Sequence, residues 1–300
     1  MMSLTTQGAL AAYERARHRL PAPGTPRSSQ TARDLSELAD LFDVFLLDAF
    51  GVLNIGETAI AGTPERVAAL QAAGKRVLVV SNAAGFPHDT LMRKYTRLGY
   101  DFAPEDVITS RATLICALRK APARAWGLMA SRAAGLGELA QFDVTWLAED
   151  RAAYDAAEGF LMIGAAEWTE DRQDLLEASI RDNPRPVWVG NPDIVAPREV
   201  GFSKEPGHFA HRLADATGLS PEFFGKPFPN IYDLAFARLG PVDPARVLMV
   251  GDSLHTDILG AQSAGIRSAL IAGYGFFGGA DAQEAIASCG IVPDFILERP

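Results

Sequence analysis

The sequence predicts an α/β protein: a doubly wound parallel sheet with a smaller α/β cap domain inserted into it. Three observations carry the prediction. Short apolar runs recur and each ends on polar groups: Val44–Leu47 before Asp48, residues 76–80 before Ser81 and Asn82, and residues 246–250 before Gly251 and Asp252. Runs that are apolar throughout, without alternation, read as strands covered on both faces. The first two are joined by a helical stretch long enough for a parallel crossover. From about Pro122 the texture changes: weak strands alternate with helices, and prolines 184, 186, 192 and 197 crowd the end of the region. Three hundred residues allow about two domains of ordinary size. The expected division is an N-terminal helix and linker at 1–39, a core made of 40–120 and 216–300, and a cap at 121–215.

In chain order, residues 1–20 have helical spacing, with Leu10, Tyr13 and Ala16 as a modest apolar stripe, and residues 21–30 read as an irregular linker. A short amphipathic helix over 34–41 leads into Val44–Leu47. The Gly- and Thr-rich stretch that follows is a loop or small hairpin. Thr63 at the N-cap and Pro64 at the first position then open a helix that stops at Gly74. Helices are expected at 88–98 and 113–120, with a third core strand at 106–108. In the cap, strands are expected at 124–129, 159–163 and 186–189, with helices at 131–140 and 171–182. After the turn Phe224-Gly225-Lys226-Pro227 come a helix at 230–239, a strand at 246–250, a helix at 258–264 and a strand at 268–271.

Composition narrows the function. The apolar fraction is 48%, enough for a substantial core, and the net charge is −9. That balance argues against general binding of nucleic acid or of anionic membranes, which calls for surplus cations. A small anionic substrate stays open, because local donors or a metal can reverse the sign inside a cleft. Cys116 and Cys289 have no CxxC partner and read as reduced thiols. No apolar run is long enough to span a membrane, and the first residues lack a signal-peptide core. A cytoplasmic location is the default expectation.

The chemistry gathers at the strand ends. In an open α/β sheet, ligands bind beyond the carboxyl ends of the strands. If the three strands are parallel neighbours, Asp48, Ser81-Asn82 and Asp252 converge there. Two carboxylates meeting at one edge repel unless a cation lies between them, and Mg2+ suits an all-oxygen site with several waters. The Phe50 carbonyl could add a ligand, Ser81 a hydroxyl donor and Lys226 a positive charge. A carboxylate, a metal, a lysine and a hydroxyl donor make a site for phosphoryl transfer.

The set Asp48-Ala-Phe-Gly-Val-Leu, Ser81-Asn82, Gly225-Lys226-Pro227 and Gly251-Asp252-Ser-Leu-His-Thr-Asp257-Ile resembles the haloacid dehalogenase superfamily. With Gly260-Ala261, Ala264-Gly265 and the string Gly190-Asn191-Pro192-Asp193, it looks most like the class IIA sugar- and nucleotide-phosphatase branch over residues 40–300. The resemblance implies that Asp48 is a nucleophile forming an aspartyl-phosphate, and that Ser81 and Lys226 hold the phosphate. It implies that Asp252 binds magnesium, that Asp257 is a ligand or supports one, and that Asn82 orients the substrate. The cap would be a mobile cover that selects a small phosphorylated substrate. A homodimer through the cap is a further expectation.

One position departs from the pattern. Phosphatases of this superfamily usually carry a second aspartate two residues after the nucleophile, and here Phe50 stands there. A general acid is commonly worth about 10²–10⁴ in rate. Three outcomes are open: a replacement acid, with His255 a candidate; a substrate whose leaving group needs no proton; or ligand binding with little turnover. True dehalogenases carry an aromatic at this position, but Gly251-Asp252 argues against that chemistry. His255 reads more simply as an exposed loop residue. His208 and His211, three apart on a helix, lack a cysteine or carboxylate at zinc-ligand spacing. Gly273-Tyr-Gly275-Phe-Phe-Gly278 satisfies GxGxxG but has no second βαβ half after it, and reads as a glycine loop near the phosphate site. Asp193 shapes a turn or touches substrate.

Overall fold

A computed structural model describes residues 5–24, 28–198, 201–278 and 280–300. The core is a parallel sheet of seven strands in the order Gln30–Ala32, Phe295–Leu297, Arg267–Ile271, Val247–Gly251, Val44–Leu47, Arg76–Ser81 and Val107–Thr109. Val44–Leu47 is buried at every position, and its side chains alternate between two apolar layers. Phe45 and Leu47 enter one layer with Val79 and Val250, whereas Val44 and Leu46 enter the other with Leu78 and Met249. That is why the run carries no polar alternation. Each such side chain, fully buried, contributes about 1.5–3 kcal/mol.

The order explains the location of the site. Strands that follow Val44–Leu47 directly lie on one side of it, and those from the C-terminal part lie on the other. The reversal makes Val44–Leu47 the switch point of the sheet, where a crevice opens at the strand ends. Register then sets the ends level. Leu47 pairs with Val250 on one side and with Val79 on the other, and the Asp48 N–H donates to the Val250 carbonyl at 2.9 Å.

A second parallel sheet holds Glu222–Phe223, Val187–Val189, Gly159–Met162, Trp126–Met129 and Val144–Trp146 in that order. It takes in Glu222–Phe223, past residue 215, so the chain re-enters the core through the turn that carries Lys226. The expected irregular linker at 21–30 ends in a strand, since Gln30–Ala32 pairs with Phe295–Leu297; residues 25–27 lie outside the described residues. The helix expected at 34–41 is only a 3₁₀ turn, Leu35–Leu38, capped by Asp34. Thr63 is not an N-cap: the cap is Gly62, in a left-handed conformation that a threonine would adopt only under strain, and Thr63 is buried as the first helical residue. The helix expected at 131–140 is two 3₁₀ turns, Arg132–Ala134 and Gly137–Gln141, interrupted at Gly135 and Gly137, both with positive φ. Val144–Trp146 went unread because it is a short edge strand with an exposed centre.

Candidate active site

Asp48, Asp252 and Asp257 meet at the switch point, with carboxylate oxygens of all three within 4.8 Å of one another. Asp48 is partly exposed, whereas Asp252 and Asp257 are buried. The Lys226 ammonium lies against this group, 2.7 Å from Asp48 Oδ1 and 2.6 Å from Asp257 Oδ1. Burial opposes the charge on Lys226, but Asp257 and Asp48 outweigh it and hold the ammonium well above the usual lysine range. For Asp252, burial and the nearby Asp257 and Asp48 charges push the carboxyl well up. Burial also raises Asp257, although Lys226 pulls it back. Three acids against one lysine leave a surplus of negative charge in a buried place. An all-oxygen donor set with that surplus fits a hard divalent cation.

Backbone geometry packs tightly round Asp252. Its Oδ2 accepts the Phe276 N–H at 2.7 Å. A Cβ at Gly275 would come within 1.9 Å of that oxygen and one at Gly51 within 2.5 Å, and both glycines have positive φ. The expected glycine loop at 273–278 is therefore a wall of the acid cluster, and the peptide after Phe50 lies against the Asp252 carboxylate. The Phe50 side chain itself is partly exposed and offers no titratable group.

Asn82 proves to be a clamp. Its side-chain oxygen accepts the Lys226 N–H at 2.8 Å, and its Nδ2 donates to the Lys226 carbonyl at 2.8 Å and to Asp193 Oδ1 at 2.8 Å. These bonds fix the backbone of Lys226. Gly225 makes this approach possible, since a Cβ there would meet Asn82 Oδ1 at 2.5 Å. Ser81 ends its strand beside Asn82, and its hydroxyl accepts the Ala83 N–H at 3.3 Å.

Placement corrects one histidine reading. His255 is fully buried, so the exposed-loop reading is wrong. Its Nε2 contacts Glu14 Oε1 at 2.6 Å, and its ring stacks on Tyr13, on the N-terminal helix Thr6–Ala16. Its partners there leave it no place as the replacement acid. His208 and His211 join no metal-competent cluster among the described residues; His211 is buried and stacked on Phe223, and neither ring nitrogen has a hydrogen-bond partner among those residues. The residue that sequence reasoning undervalued is Asp193. Burial raises its carboxyl to about 7, against the pull of Asn82 and Lys226, with Asp48 and Glu205 adding to the rise.

The switch point of the parallel sheet thus gathers acids from strand ends some two hundred residues apart, with one lysine held among them. The family model of haloacid dehalogenase-like hydrolases matches residues 45–142, and a second, HAD-hydrolase-like model matches 223–298. Human chronophin is 31% identical over 285 residues, 84% of this chain and 89% of its own. A D-glycerol 3-phosphate phosphatase of Mycobacterium tuberculosis is 30% identical over 247 residues, 79% of this chain; the chain spans only 65% of that relative's length. A solved glycerol phosphate phosphatase from Mycobacterium tuberculosis, in complex with magnesium, superposes with a TM-score of 0.68 at 25% identity, covering 86% of this chain and 75% of its own. The chain belongs to the haloacid dehalogenase-like hydrolases, in their class IIA phosphatase family. It is a phosphatase of that superfamily.

Proposed function

We propose that the chain is a magnesium-dependent phosphohydrolase that works through an aspartyl-phosphate on Asp48, with a small phosphorylated metabolite as substrate. The observation that carries this reading is the meeting of Asp48, Asp252 and Asp257 within 4.8 Å around the Lys226 ammonium. Relatives whose names include glycerol phosphate and 4-nitrophenyl phosphatases support the substrate class, and the magnesium-bound structural relative supports the metal. Asp48, Asp252 and the Phe50 carbonyl would hold the ion, with Asp257 supporting them. When bound, the ion neutralises charge on the phosphoryl oxygens.

In the first step an Asp48 oxygen bonds to phosphorus while the bond to the substrate oxygen breaks. Lys226 and Ser81 hold the phosphoryl oxygens as charge spreads over them. Water then attacks phosphorus, its proton passes to a base, and the Asp48 oxygen leaves as carboxylate with inorganic phosphate. Asn82 keeps Lys226 in place through both steps. The Phe50 side chain can neither protonate the leaving oxygen nor activate the water. Asp193 is the carboxyl best suited to hold a proton near neutral pH, and it lies close enough to Lys226 and Asp48 to feel both charges.

A leaving-group series tests this. Aryl phosphates, whose leaving group needs no proton, should turn over with Mg2+ faster than alkyl phosphates, and loss of the acid that serves the alkyl ones should widen the gap by about 10²–10⁴. Asp193→Asn should slow alkyl phosphates and spare aryl ones if Asp193 supplies the proton; equal losses on both would remove it from that role. Phe50→Asp should raise alkyl turnover, and an unchanged rate in a folded variant would remove the missing acid as the main limit. The Phe50 side chain also favours a second reading, a protein that binds phosphorylated ligands with weak turnover. Measurable affinity with no turnover of any leaving group would select it.

A further inference from the structure

Glu14, His255 and Cys289 come from three segments far apart in sequence: the N-terminal helix Thr6–Ala16, the wide turn Leu254–Ile258 and the helix Ala282–Cys289. A carboxylate oxygen, a ring nitrogen and the sulfur all lie within 4.8 Å of one another. We propose that these three side chains form a zinc site that fastens the N-terminal helix to the core. The site is separate from the acid cluster and takes no part in phosphoryl transfer.

The donor set selects the ion. Oxygen, imidazole nitrogen and thiolate sulfur together are zinc ligands, and thiolate is too soft for magnesium. Zinc–ligand bonds of about 2.0–2.3 Å put neighbouring donors roughly 3.3–3.7 Å apart, between the 2.6 Å of the Glu14–His255 pair and the 4.8 Å limit of the cluster. The Glu14–His255 contact, now 2.6 Å, opens slightly as the ion enters. The His255 ring is fully buried, and its Nε2 already faces Glu14 Oε1 at 2.6 Å. Its plane is fixed by Tyr13, stacked at 5.0 Å with an interplanar angle of 17°. Glu14 is 42% exposed in its side chain, which gives the ion an entry path and a fourth position for water. Cys289 is a free thiol. On binding, its proton goes to solvent as the sulfur–zinc bond forms.

The N-terminal helix has reason to need a fastener. An isolated helix of 11 residues is marginal in water, and its buried residues are three alanines and Tyr13. The same tyrosine reaches the end of the cap, where its hydroxyl donates to the Val195 carbonyl at 3.2 Å and accepts the Ile194 N–H at 3.3 Å. Zinc on Glu14, one residue on, would hold that contact in place.

Cobalt, as a spectroscopic substitute for zinc, gives the test. The full chain, stripped with chelator and reduced, is titrated with Co2+ in an Asp252→Asn background that disables the acid cluster. The expected result is one Co2+ per chain with a thiolate-to-cobalt absorption band, displaced by one equivalent of Zn2+. Cys289→Ser should abolish the band, Cys116→Ser should leave it, and Glu14→Gln should weaken binding by about 10-fold or more. Zn2+ should raise the Tm of the chain but not of Cys289→Ser. If Cys289→Ser does not fold, His255→Gln takes its place in both measurements. Absence of the band with both thiols reduced overturns the proposal, as does a band that survives Cys289→Ser or vanishes only with Cys116→Ser.

Discussion

Asp257 and His255 stand two residues apart on one turn and serve opposite clusters. Asp257 faces Asp48, Asp252 and Lys226, whereas His255 faces Glu14, Tyr13 and Cys289. The turn Leu254–Ile258 is wound wider than an α-helix, as a π-turn, and all five of its residues are buried. Such turns are frequent at functional sites, and here one lets a single segment feed two polar groups. The clusters differ in construction. In the acid cluster, strand register at the sheet's switch point sets Asp48 and Asp252 level, and Asp257 and Lys226 reach in from turns beside it. The Glu14 cluster depends on a short helix docked from the other end of the chain. Its donors are mixed and partly open, whereas the acid cluster is all oxygen and mostly buried. Loss of a residue in the first should therefore stop the chemistry, and loss in the second should loosen the fold and leave the chemistry intact.

The largest effect expected is from Asp48→Asn, which should cut phosphate release by at least about 10³-fold, as loss of a nucleophile does, with the fold retained by circular dichroism. Turnover that survived would reject Asp48 as the nucleophile. Lys226→Met should come next. It leaves buried carboxylates without their cation, so the metal-free chain should lose about 3–5 kcal/mol in urea unfolding, and Mg2+ should restore part of it. No change in stability would mean that the acids are already neutral and that the charge argument fails.

The two clusters should also answer pH in opposite directions. Asp252 and Asp257 have carboxyls raised on folding, so the folded chain holds protons that the unfolded chain has released. Without metal, this contribution to stability falls as pH rises from about 4 through the raised values. Saturating Mg2+ should remove that fall. His255 is shifted down by burial, against the pull of Glu14. Its contribution is full above about 6.5 and is lost as pH drops below that. Tm measured from pH 4 to 8, with and without Mg2+, and again in His255→Gln, separates the two slopes; a His255→Gln profile identical to the parent's would sink the second. The smallest effect belongs to Glu14→Gln, which should leave kcat/KM within about twofold, as for a surface change, while lowering Tm. A large fall in kcat with Tm unchanged would join the two clusters functionally.

Much of the site could be read from residue order because strand ends announce themselves. An apolar run followed by Asp48, or by Gly251-Asp252, has few structural alternatives, and a parallel sheet brings such ends together. The glycine loop at 273–278 was legible for a related reason, since close backbone approach calls for glycine. The partners of Asn82 were not legible, because the Lys226 backbone and Asp193 lie more than a hundred residues away. His255 was misjudged because nothing near it in sequence shows that an N-terminal helix covers it. Thr63 looked like a cap by local propensity, but the left-handed Gly62 before it took that place.

The sequence by itself determined the alternation of strands and helices, the acids at the strand ends and the absence of a carboxylate at Phe50, because these are local patterns of polarity and side-chain chemistry. Only the tertiary structure decided which groups share a charge field: Lys226 between Asp48 and Asp257, Asp193 on Asn82, and His255 against Glu14. Those pairings depend on strand register and helix docking across the whole chain, and burial then turns each of them from a weak contact into a strong one by removing the water that would screen it.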